Sequence, residues 1–409
     1  MDGESVHAVP GLSPRGRRGR RVQRQVHVQP VRAAWRQLCD LAFAHPAHVS
    51  QLLSAGGNLA IHGRATGTRR GGRNQALIGH REEILAEIRA GLSLSQKQLP
   101  SKLFYDERGS ELFEAITALP EYYLTRAEQE LLREHVPRWV ADQRPRSLVE
   151  LGAGSAVKTR IVLDAMRAHE IRAWYVPVDI SAAILEHAAD RLRRQYSRLH
   201  VLPIGSDFTR TLALPPSLER PALLTFLGST VGNLTQREAI DLLRRVRAAM
   251  RPGDRFLLGT DLRKDVATLE AAYNDACGVT AAFNLNMLRV MNRTFGADFD
   301  VDHFRHRAFY DGCDNRIEMH LISTRVQTVN IPGAGSFRIE AGESIRTEIS
   351  CKYDRQSVRD MLDAAELEML EWQEGAGLFA LSLAVVKDGA DRAGTARRRR
   401  GIGPPAKLW

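Results

Sequence analysis

The sequence predicts an α/β fold: a parallel, helix-covered sheet closed by an antiparallel C-terminal hairpin, with a second, α+β domain inserted into it. Between residues 126 and 262 a short apolar run, a loop and an amphipathic helix recur; after Arg263 that unit gives way to mixed helices and alternating strands; strand-like runs return at the end. Alternating strands and helices of the first kind require a parallel sheet with helices on both faces. Right-handed crossovers then bring the strand ends to one edge.

In chain order, Ile84 to Leu92 has helical spacing, and Gly109 to Leu119 repeats it with Leu112, Phe113, Ile116 and Leu119 on one face before Pro120 stops it. The strands expected next are Ser147 to Leu151, Trp174 to Asp179, His200 to Ile204, Ala222 to Phe226 and Phe256 to Asp261; the helices between them include Ile161 to His169, Ala182 to Gln195 and Gln236 to Met250. Past Arg263 come helices at Ala267 to Asp275 and Phe283 to Thr294 and strands at Asn315 to Gln327, Ser336 to Ile339 and Ser344 to Tyr353. A helix at Gln356 to Ala365 and a hairpin of Leu367 to Trp372 with Phe379 to Val386 complete the first sheet. Residues 126–262 and 354–388 thus form the sheet domain, and 74–125 with 263–353 the second one.

The formal net charge is +10, but it sits at the ends: residues 1–73 hold 12 Arg against 3 acids and residues 389–409 hold 6 basic against 1 acidic residue, so the middle is net −4. Both ends are blocky and Gly-rich, as in Arg397-Arg-Arg-Arg400, and read as basic disordered extensions that do not define the function. A nucleic-acid partner is therefore not expected. The four cysteines, Cys39, Cys277, Cys313 and Cys351, show no CxxC and no paired spacing, which argues against a zinc site or a disulfide framework and suits a reducing cytoplasm. No apolar run is long enough to span a bilayer, and no secretory pattern stands at the start, so no membrane partner is expected.

The first strand ends in VELGAGSAVK, a glycine turn that lets a ligand approach the backbone closely. A dinucleotide fingerprint needs a third glycine where Val157 stands, and Walker spacing is absent. Instead three acids mark three strand ends: Glu150 before the turn, Asp179 where ribose hydroxyls would donate, and Asp207 with Phe208 beside it, a pairing suited to an adenine amino group and ring face. Acids without a phosphate-binding glycine triplet point to an unphosphorylated adenosine ligand, S-adenosylmethionine.

From Leu99 to Val386 the chain resembles the histidine-specific S-adenosylmethionine-dependent methyltransferases of ergothioneine biosynthesis. The resemblance is carried by SKLFYDERGSELFEAITALPEYYLTRAE, VELGAGSAVKT, VPVDIS, LGSTVGNL, AYNDACGVTAAFNLN and ESIRTEISCKY. It implies a Rossmann-like methyltransferase sheet, a substrate-binding inserted domain, L-histidine as substrate, hercynine as product, no metal and a cytoplasmic monomer. It implies that Gly152, Lys158, Asp179, Asp207 and Phe208 contact S-adenosylmethionine, that Tyr105 and Asn233 act at the amine, and that Tyr122, Asn233, Tyr273 and Met319 bind the amino acid. As bare sequence, Lys158 also reads as a solvated helix residue, and each tyrosine is more often a packing residue.

In ESIRTEISCKY, residues two apart on a strand face the same way, so Glu348 and Ser350 form one two-pronged face. A carboxylate accepting from one imidazole nitrogen and a hydroxyl donating to the other match a neutral imidazole, and the resemblance places the imidazole-reading pair here. On pattern alone the same face reads as solvated. Ile349 and Cys351 depart from the residues common in the family and point away from that face. The alternative substrate is another amino acid or an indole-bearing amine.

Overall fold

The computed structural model describes residues 70–153, 158–180 and 182–387. Residues 1–69 and 389–409, nearly all of the two basic extensions, lie outside them. Residues 70–73, expected to belong to the first extension, instead open helix α1 (Arg70–Leu92).

The main sheet contains β2 (Ser147–Leu151), β3 (Ala173–Asp179), β4 (Leu199–Val201), β5 (Ile204–Gly205), β6 (Ala222–Phe226), β7 (Arg255–Asp261), β13 (Leu367–Gly375) and β14 (Phe379–Val386). Its order is β13-β14-β7-β6-β2-β3-β4, with β5 beside β3. The strands from β7 to β4 are parallel, and β14 runs antiparallel to both β7 and β13. The chain steps outward from β2 to β3 and β4, then crosses back to the other side of β2 as β6. Ligands of such sheets bind at that reversal, beyond the carboxyl ends of β2 and β6. Successive residues of the central strands feed opposite cores: Val149, Leu224 and Phe256 enter one, and Leu148, Leu223 and Leu257 the other. Burial on both faces explains why these strands read as continuous apolar runs.

One helix of this half was not expected. Leu124–Gln143 buries Leu131, Leu132, Val136, Trp139 and Val140 against the second core, and Pro137 inside it together with many charges hides the helical period.

A second sheet has the order β1-β12-β9-β8 and is built from β1 (Lys97–Gln98), β8 (Phe304–Asp311), β9 (Arg316–Ser323) and β12 (Ser344–Cys351). A helix at Val279–Phe295 buries Phe283, Met287, Leu288 and Met291 beside it. The predicted strand Asn315 to Gln327 is in fact β9 followed by the start of a separate hairpin, Gln327–Ile331 with Gly335–Ile339. Strand β8 was unforeseen because FRHRAFYD carries charges along it.

Strand β12 departs from simple alternation. Arg346 pairs with His320 and Glu348 with Met319, which are consecutive on β9, so Thr347 is the extra residue of a β-bulge. Arg346 and Glu348, two apart, therefore face opposite sides of the sheet. The Thr347 hydroxyl donates to the Met319 carbonyl at 3.1 Å and pins the bulge.

Among the described residues no helix is long and apolar enough to cross a membrane. Cys313 and Cys351 are free.

Candidate active site

The cofactor edge is assembled where β2, β3 and β6 end. Gly152 follows β2 with φ +68°, and a Cβ there would lie 3.9 Å from Phe208 and 4.0 Å from Phe226. The turn thus lies against two aromatic rings, themselves packed edge to face at 5.7 Å. Residues 154–157, the rest of the glycine loop, lie outside the described residues. Asp179, at the end of β3, is half-buried, and its carbonyl accepts from the Ser206 N–H at 2.9 Å. Asp207 is held by its own turn, its Oδ1 accepting from the Thr209 N–H at 3.0 Å and the Thr209 hydroxyl at 2.5 Å.

Glu150, the third acid of this edge, faces inward. It is 4% exposed and accepts from Thr159 at 2.5 Å and Tyr175 at 2.6 Å. Burial raises its carboxyl to about 7 even against those bonds. Lys158 forms an ion pair with Glu128 of the unforeseen helix, whose side chain is fully buried. Glu128 Oε1 also accepts from the Gly228 N–H at 2.7 Å. A Cβ at Gly259 would come within 2.2 Å of the same oxygen, so that glycine makes the room. Glu128 thus ties the loop after β2 to the loop after β6. Nothing local in the sequence marked it.

Beside this edge is a cavity. Tyr105, Tyr122, Asn233, Tyr273, Met319, Glu348 and Ser350, seven positions singled out from sequence, all line it. Asn233 closes a short 3₁₀ turn, Thr230–Asn233, after Ser229 in the left-handed region. A Cβ on Gly232 would lie 2.9 Å from the Cys351 carbonyl, so the turn and strand β12 meet backbone to backbone. Tyr105, Phe113 and Phe283 form one aromatic wall, with ring centroids 5.9–6.0 Å apart. Tyr122 stands edge-on to Tyr273 at 6.3 Å.

Several polar heads in this cavity make no hydrogen bond to the protein among the described residues, among them the Asn233 amide, the Glu348 carboxylate and the Tyr105 and Tyr122 hydroxyls. Burial raises Glu348 to about 7, offset only in part by the charge of Lys352. The Thr280 hydroxyl, missed from sequence because nothing distinguishes it in GVTAAF, is another, buried and without a partner among the described residues. Desolvation of its hydroxyl end, then the nearby Glu348 and Asp179 carboxylates, holds the Tyr105 phenol above its ordinary range, although the residue as a whole is 44% exposed. Tyr122 is raised likewise, by burial first and then by Tyr273 and Glu348.

Behind the cavity lies a buried charge cluster. Asp261, at the end of β7, pairs with Lys264 at 2.5 Å and with Lys352 at 2.8 Å and accepts from the Tyr123 hydroxyl at 2.9 Å. Burial lowers Lys264 to about 8, although Asp261 supports its charged form. Tyr273 does not point its hydroxyl into this cluster as a free group: it donates to Ser350 at 2.8 Å. The backbone of Tyr273 is held by His306, whose Nε2 lies 2.8 Å from its carbonyl. Among the described residues no group of three or more His, Cys, Asp or Glu gathers at metal-binding distance.

Residues 84–386 match the family described as histidine-specific methyltransferase, SAM-dependent. The chain is 42% identical over 306 residues to the Histidine N-alpha-methyltransferase of Mycolicibacterium smegmatis, spanning 74% of this chain and 95% of that one. It is 45% identical over 301 residues to the protein of the same name from Mycobacterium tuberculosis, spanning 73% and 93%. Ergothioneine biosynthesis protein 1 of Schizosaccharomyces pombe is 27% identical over 308 residues, which cover 40% of its length. A match that runs from within α1 to the last residue of β14 takes in both sheets and the cavity beside them, and the chain belongs to the histidine-specific, SAM-dependent methyltransferase family.

Proposed function

We propose that this protein transfers methyl groups from S-adenosylmethionine to the α-amino group of L-histidine, giving trimethylhistidine, the hercynine of ergothioneine biosynthesis. One observation carries the choice of substrate. The Glu348 carboxylate, with no protein donor, lines the same cavity as the Ser350 hydroxyl, two residues along β12, and so offers an acceptor and a hydroxyl to one ring. The names of the two mycobacterial relatives point the same way.

Bound S-adenosylmethionine supplies an electrophilic methyl carbon on a sulfonium; the amine lone pair forms the new C–N bond while the C–S electrons stay on sulfur. In this reading Gly152 and Phe208 shape the adenosine site, and Asp179 and Asp207 accept from the ribose and the adenine amino group. Lys158 stands between Glu128 and that ligand. The unpaired Asn233 amide donates to the substrate carboxylate and accepts from the amine, with the Tyr273 ring at the carboxylate end while its hydroxyl proton stays on Ser350. Tyr105 and Tyr122 hold the amine by hydrogen bonding. Both phenols are shifted upward, away from the range of a useful base at neutral pH, so protons leave through water between transfers. Orientation then supplies much of the rate. Met319 packs against the ring between the polar prongs. This chemistry needs no metal.

The test is to incubate the protein with labelled S-adenosylmethionine and a panel of amino acids, L-tryptophan included, and to identify products by mass. Mono-, di- and trimethylated histidine are expected. Absence of any histidine product would overturn the reading, and a tryptophan product in its place would favour the indole alternative.

A further inference from the structure

The Ser350 hydroxyl has two protein donors. Tyr273 donates to its Oγ at 2.8 Å and Lys352 Nζ at 2.8 Å. A serine oxygen has two lone pairs and one proton; the two donors occupy the lone pairs and leave the proton for the cavity. Lys352 is itself fully determined. Its side chain is fully buried, as is that of Asp261, which it meets at 2.8 Å. It also donates to the Tyr273 hydroxyl at 3.1 Å and sits 4.9 Å from the centre of that ring.

An ammonium has three protons and no lone pair. Asp261, Ser350 and Tyr273 use all three, so Lys352 cannot exchange roles with any of them. Because Tyr273 accepts from Lys352, its own proton goes to Ser350. Polarity is set in one direction, from Asp261 through Lys352 to the cavity surface. The other titratable groups around this chain are Lys264 and the neutral Tyr123 phenol on Asp261 and Glu348 on the cavity side of β12.

We propose that Lys352 is a positioning residue that determines ring specificity: by locking Ser350 as a proton donor, it makes the cavity read a neutral heterocycle with one N–H for Glu348 and one bare ring nitrogen for Ser350. This rests on the histidine reading above and adds a rule to it. An indole or pyrrole has the N–H but no acceptor and leaves the Ser350 proton unpaired. An imidazolium has two N–H groups and sets one of them against that proton.

The rule is tested by a preference ratio, which loss of folded protein does not move. The kcat/KM for L-histidine is divided by that for the two pyrrolyl-L-alanines, the 2-yl and 3-yl isomers, each of which keeps one ring N–H and lacks the other nitrogen. The wild type should prefer histidine by at least about tenfold, the worth of one satisfied buried hydrogen bond. In Lys352→Met the one Ser350 lone pair that is freed lets the hydroxyl turn and accept, so the preference falls about tenfold; Ser350→Ala lowers it similarly, and the double variant lowers it no further. A second measurement needs no variant: ring nitrogen chemical shifts of ¹⁵N-labelled L-histidine bound to the wild type at pH 6 should report a neutral ring. An unchanged ratio in Lys352→Met with normal wild-type histidine turnover, or a bound imidazolium, overturns the inference alone. A wild type that makes no histidine product overturns the function and the inference together.

Discussion

Glu318 and Glu348 stand on neighbouring strands of one sheet, on opposite faces, and both are largely withdrawn from water. Glu318 is surrounded: Arg316 donates at 2.9 Å, Arg346 at 3.0 Å, and His320 Nε2 lies 2.8 Å away. Burial pushes its carboxyl up, but those partners outweigh burial and hold it below its ordinary value. Glu348 has the burial without the donors and rises to about 7. Burial alone therefore does not separate a structural carboxylate from one kept for a ligand. The supply of partners does, because an unsatisfied buried acceptor is costly unless something outside the chain completes it.

The largest effect expected from this contrast is catalytic. Glu348→Ala should lower kcat/KM for histidine by about a hundredfold or more, as loss of a charge-assisted hydrogen bond implies, while calorimetric binding of S-adenosylmethionine stays near wild type and the melting temperature does not fall. Glu318→Ala should do the reverse. It strands Arg346 and His320 on the opposite face and should cost about 2–3 kcal/mol in denaturant unfolding, with kcat/KM per folded molecule nearly unchanged. If both variants lost activity alike, the contrast between the two faces would be broken.

The same pair predicts stability slopes of opposite sign with pH. The folded Glu348 carboxyl is raised from 4.5 to about 7, so the native state binds the extra proton in that window and Glu348's contribution to stability falls as pH rises through it. Glu318 is lowered, so its contribution is present above its unfolded value and is lost as pH falls through its folded one. Unfolding followed from about pH 2 to 8 should show the first slope disappear in Glu348→Gln and the second in Glu318→Gln. The smallest effect concerns the meeting of turn and strand. Gly232→Ala places a Cβ 2.9 Å from the Cys351 carbonyl, and the shift needed should cost about 1–2 kcal/mol and raise KM for histidine several-fold by moving Asn233 relative to Glu348.

What could be read in the sequence follows the same division. Ser147–Leu151, Ala222–Phe226, Ala182–Gln195 and Phe379–Val386 match their predicted bounds to the residue, because strands buried on both sides and amphipathic helices write their environment into local period. The acids at strand ends were legible from their place after a glycine turn or an apolar run. Lys352 and Glu128 were not, since each takes its meaning from partners far along the chain, Asp261 for one and Lys158 with Gly228 for the other. Glu150 shows the opposite failure: its place suggested a ligand, and its neighbours Thr159 and Tyr175 claim it instead. The helix Leu124–Gln143 and strand β8 were hidden by charges that sit on an otherwise regular backbone.

The bulge at Thr347 gives strand β12 a property that its list of side chains does not. It splices two rulers that are set separately. Upstream, Ser344 to Arg346 are in step with Ile322, Leu321 and His320, and with the Arg346–Glu318 pair; downstream, Glu348 and Ser350 are in step with Met319 and Ile317, and Lys352 follows on the same face. Adding or removing one residue at the splice slides one ruler past the other without disturbing the spacing within either. The outer half can drift under selection for stability while Glu348, Ser350 and the Lys352 behind them keep their mutual phase.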